Sequence, residues 1–83
     1  MNRDWVLFHL GEAGDEITKT LAEIRATPDY DYAEFWVAMQ HLYHHLNTAW
    51  NSRDATAPEV DKATDADFNR WGRFPTDLPM MEV

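Results

Sequence analysis

The stretch that decides the fold is DYAEFWVAMQHLYHHLNTAWN, Asp31 to Asn51. Its large apolar side chains, Tyr32, Phe35, Trp36, Met39, Leu42, Tyr43, Leu46 and Trp50, recur in steps of three and four. At about 100° of turn per residue they occupy roughly a third of a helix circumference. Asp31 stands where an N-cap belongs and Glu34 follows three residues later, the spacing of a capping box. A helix is therefore expected over about residues 32–51, with its ring-rich stripe turned inward.

Working back from Asp31, Pro28 ends whatever precedes it, because the residue before a proline is pushed out of the α region. Upstream, Val6, Leu10, Ala13, Ile17, Leu21 and Ile24 repeat at helical spacing, with Glu12, Asp15, Glu16, Lys19 and Glu23 on the other side. This predicts a first helix over about residues 4–26, continuous through Gly11 and Gly14 despite about 1 kcal/mol lost at each relative to alanine. A connection of about five residues between helices of similar length favours an antiparallel hairpin.

Downstream of Asn51 the chain reads as polar and irregular to Ala63. A short helix is expected over about residues 65–71, capped by Thr64 with Asp67 and ended at Gly72. The tail, residues 72–83, is broken by Pro75 and Pro79 and carries apolar side chains expected to lie against the hairpin. The fold class is thus all-α, one domain over residues 1–83: a helical hairpin, a short third helix and an irregular tail. Two helices can bury a seam but not enclose it, so a homodimeric four-helix bundle is the expected assembly.

Fifteen acids against seven bases give a formal charge of −8. That balance argues against nucleic acid and against anionic lipid surfaces, and leaves a protein partner open. There is no cysteine, so disulfides and thiolate metal sites are excluded, and a reducing compartment is consistent. The opening ten residues lack the apolar run and small-residue site of a secretion signal, and no segment is long enough to span a bilayer, so the cytoplasm is the expected location.

The residues that could carry chemistry centre on His41-Leu42-Tyr43-His44-His45. His41 and His45 are spaced i, i+4, a spacing that lets two imidazoles reach one divalent ion such as zinc. In a hairpin turning near Pro28, His9, Glu12 and Glu16 fall at compatible heights, so the candidate metal set is His41, His45, His9, Glu12 and Glu16. The apolar stripe, taken as the inward direction, turns His41, His44 and His45 away from the first helix. Asn47 and Thr48 read as surface polar groups. Ser52 is the only serine and has no elbow or oxyanion context, and no Gly-rich phosphate loop is present.

His9, His41 and His45 resemble the metal-binding histidines of DinB-like four-helix proteins, in which a paired H-x-x-x-H follows an earlier lone histidine. Those domains are nearly twice this length. The run Gly11-Glu12-Ala13-Gly14-Asp15-Glu16-Ile17 looks like the first acidic helix of the all-α nucleotide pyrophosphatases, which hold magnesium with acid clusters on two helices. Here the second cluster departs from that pattern, with Val37 where those enzymes carry an aspartate. The expected function is a small self-associating binding or accessory module without catalysis of its own and without a cofactor. The alternative is a metal-binding, possibly hydrolytic, helical protein using a site centred on His41 and His45.

Overall fold

A computed structural model describes residues 1–82 of the chain. It is all-helical among the described residues, with two long helices packed together: α1 Arg3–Ala26 and α2 Tyr32–Asn51. Two short helices follow, α3 Ala57–Asp61 and α4 Asp65–Trp71. None is long and apolar enough to cross a membrane.

The ends of the elements have local causes. The Asn2 side chain accepts the Trp5 N–H at the start of α1, and Asp31 accepts the Glu34 N–H at the start of α2. Each satisfies one of the donors that a first helical turn leaves unpaired. Helix α1 runs unbroken through Gly11 and Gly14, where an added Cβ would meet nothing, so neither glycine serves a close approach. Helix α4 carries the capping box expected at Thr64 and Asp67. Gly72 ends it with φ −76°, so no left-handed residue is involved. A side chain there would instead stand 2.9 Å from His44 Nδ1, and close packing is what the glycine permits.

One element departs from the expectation. The segment read as irregular contains α3, which has its own capping box between Thr56 and Glu59 and a proline in its first turn. Thr56-Ala57-Pro58-Glu59 is a helix-start signature, but the apolar periodicity of a five-residue helix is too short to register.

The larger correction concerns the seam. The side chains buried between α1 and α2 are small or polar: His9 and Ala13 from α1, Ala38, Ala49 and Thr48 from α2, and Ser52 just beyond. The ring-rich stripe of α2 is rotated by about a third of a turn from this seam, at about 100° per residue. Phe35, Trp36 and Leu46 are exposed in the single chain, and so are Leu10, Ile17, Leu21 and Ile24 of α1. Small residues let the two helices approach closely, while their large side chains fall together on one side.

Residues after α2 fasten the far end. Trp71 is buried, and the Asn51 amide donates to the Trp71 and Arg73 carbonyls at 2.8 and 2.6 Å. Further along the tail, Phe74 lies against Tyr43, ring centroids 5.2 Å apart, and Asp77 accepts from the Trp50 indole at 2.9 Å. Leu78, Met80 and Met81 remain exposed, so the tail covers only the Tyr43–Trp50 flank of the stripe.

If the small seam sets how closely the helices approach, Ala13→Leu overpacks it. Urea denaturation is expected to show a loss of about 1–3 kcal/mol. An unchanged midpoint would mean that Ala13 does not set the spacing.

Candidate functional site

The seam near the open end of the hairpin holds a polar cluster. Successive turns of α1 bring Trp5 and His9 to the interface, and α2 answers with His45, Thr48 and Ser52. The Trp5 indole N–H donates to Ser52 Oγ at 2.7 Å, and Ser52 Oγ donates in turn to the Thr48 carbonyl. Ser52 thus couples the two helices through one hydroxyl used both ways. The start of α1 is held to the chain beyond α2 by the Asn2 N–H to the Arg53 carbonyl, 2.7 Å, and by the Asn2 amide to the Ala55 carbonyl, 2.8 Å.

Inside this frame, His9 Nδ1 lies 3.2 Å from His45 Nδ1. With nothing bound between them, one nitrogen must carry the proton and the other accept it. His9 is only 5% exposed. The rings of Trp5 and Phe8 stand nearly perpendicular to it, at 4.3 and 5.1 Å between centroids. Its Nε2 has no hydrogen-bond partner among the described residues, and neither does Thr48 Oγ1. Burial, helped by the neighbouring His45 and His44, lowers the His9 pKa from 6.5 to about 4.

The structure therefore brings together two of the five expected metal candidates, His9 and His45. His45 turns toward α1, not away from it as the stripe implied, because the seam lies about a third of a turn from the stripe. His41 and Glu12 are exposed, and Glu16 is half-buried on the margin of an apolar groove shared with Ile17, Leu21, Phe35 and Met39. Among the described residues no three His, Asp or Glu side chains are grouped so as to hold an ion.

Asn47 and Thr48 are a further correction, since both are buried, Thr48 completely. The Asn47 amide donates to the Gly72 carbonyl at 3.0 Å, satisfying an acceptor that the end of α4 leaves free. Asn47 and Asn51 form a polar edge on which the C-terminal segment is seated. Their i, i+4 spacing at the end of an aromatic helix was the signal available. Further out, the Trp50 indole and Arg53 hold the Asp77 carboxyl below the usual carboxylate range.

No protein-family model, curated protein or solved structure matches the chain.

The buried imidazole makes stability pH-dependent. His9 titrates near 4 when folded and near 6.5 when unfolded, so the unfolded chain binds the extra proton first. In chelator-treated protein, stability is expected to be full above about pH 6.5 and to fall towards pH 4, by up to about 3 kcal/mol. Urea titrations across that range check this. His9→Phe, which keeps an aromatic ring and removes the proton site, should flatten the dependence.

Proposed function

We propose that this chain is a self-associating helical module, two hairpins closing face to face into a four-helix bundle, and that it acts by binding or assembly without catalysis of its own. The observation that carries this reading is the open face of the hairpin. Ile17, Leu21 and Ile24 of α1 and Phe35 and Leu46 of α2 are all between 38% and 46% exposed. Ile17, Leu21, Ile24 and Phe35 line one groove with the half-buried Met39 and Leu42, and Leu46 extends it by one turn of α2 beyond Leu42.

The shape of the molecule supports the same reading. Its radius of gyration is 14.8 Å, against about 12 Å for a compact chain of this length. Its accessible surface is 6542 Å², where a folded monomer of 9.7 kDa would expose about 5,100 Å². The excess is above the roughly 800 Å² that each partner gives to a standard interface. Contiguous apolar patches of this kind rarely stay bare on monomers.

A second copy is the simplest occupant. Both helices of a hairpin contribute to the face, and a two-fold axis normal to it sets each stripe against its equivalent. The acidity of the chain does not oppose this, since the groove carries only Glu16, on its margin.

Sedimentation equilibrium at micromolar concentration is expected to return twice the chain mass. Leu21→Asp places a charge in the middle of the face and should weaken association at least about 100-fold, close to 3 kcal/mol. A wild-type monomer, or a Leu21→Asp dimer as tight as the wild type, would overturn the reading.

A further inference from the structure

His9 and His45 differ from the other two histidines in where they sit. His41 and His44 are exposed, whereas His9 is buried and His45 half-buried with its Nδ1 turned on the Nδ1 of His9. We propose that the His9–His45 pair is a binding site for a divalent d-block ion such as zinc, held by the two Nδ1 atoms. This stands apart from self-association and uses a different side of α2.

The distance fits. With metal–nitrogen bonds of about 2.0–2.1 Å, two cis imidazole nitrogens lie about 2.9 Å apart at a right angle and about 3.3 Å apart at the tetrahedral angle. The observed 3.2 Å falls between. A nitrogen pair at this spacing lies within bonding reach of one ion. Because one ligand comes from each helix, the ion ties α1 to α2 across a seam that holds almost no large apolar side chain.

The donor set selects the ion. Two imidazoles with no carboxylate grouped beside them suit zinc, cobalt, nickel or copper and not magnesium or calcium, which require oxygen ligands. The remaining positions fall to water or to a small anion, entering from the half-buried His45 side.

The test is zinc titration of tag-free, chelator-stripped protein by calorimetry, with cobalt absorption as a second probe. One ion per chain is expected. His45→Ala should weaken binding about 100-fold or more, while His41→Ala should leave it within threefold. Zinc should also raise the Tm of the wild type and of His41→Ala but not that of His45→Ala, since an ion that binds the folded state stabilises it by mass action. No saturable binding, binding that survives His45→Ala, or binding abolished by His41→Ala would overturn the proposal, and the 3.2 Å contact would then be a neutral N–H···N hydrogen bond.

Discussion

The side chains that meet between α1 and α2 are small or polar, and the rest of the architecture follows from that. An alanine-lined seam lets two helix backbones approach closely, but it buries little apolar area. At about 25 cal/mol per Å², an alanine contributes a fraction of what a leucine would. Among the described residues, four of the five buried apolar ones are alanines, Trp71 being the exception. The hairpin is therefore held by geometry and hydrogen bonds more than by a core, and its large side chains are left to one face.

That constraint explains why the chain beyond α2 is tied down by polar contacts. Asn47 and Asn51 are not decoration on a helix end. Their amides donate to the Gly72, Trp71 and Arg73 carbonyls at and beyond the end of α4, and so replace missing hydrophobic glue. Asn2 does the same for the start of α1, reaching the Arg53 and Ala55 carbonyls. Trp71 then closes the end of the hairpin against Trp5 and Phe68, at 6.4 and 5.5 Å between ring centroids. The stretch Asn47 to Arg53 thus carries contacts to α1, α4 and the tail at once.

How much of this was legible depends on the physical signal each part leaves. The two long helices, the Asp31 cap and the helix at Asp65 with its Thr64 cap were readable, because periodicity and capping are local; the Asn2 cap of α1 was not read. Helix α3 was not, since five residues carry no period, although its capping box was there to see. The direction of burial was misread for a specific reason. A stripe of Phe35, Met39, Leu42 and Leu46 looks like an inward face, and periodicity gives its width but not its partner. Ala13, Ala38 and Ala49 are what mark the seam, and alanine is too neutral to announce it. The same rotation hid the site: with the stripe taken as the inside, His45 belonged outside, while Asn47 and Thr48 passed for surface groups. Of the histidine pattern, the i, i+4 pair drew attention to His41, but the partner that the fold supplies for His45 is His9 from the other helix.

A small chain without cysteine has few ways to stiffen a two-helix layer. The proposed closing of the apolar face by a second copy and the proposed bridging of the polar seam by an ion would act on different surfaces of α2, and neither would need the other. The wheel of α2 makes the separation concrete. Leu46 and Phe35 point to the open face, Ala49 and His45 to α1, and Asn47 and Asn51 to the C-terminal segment. Each third of the helix meets a surface of its own chemistry. Apolar side chains on the first gain most from leaving water, imidazoles on the second gain most from a shared proton or cation, and amides on the third gain most from unpaired carbonyls. Moving α2 by one residue would turn every one of these groups by about 100° onto the wrong surface. The division of α2 into three chemistries therefore fixes its rotation about its own axis, which its alanine seam alone would leave loosely determined.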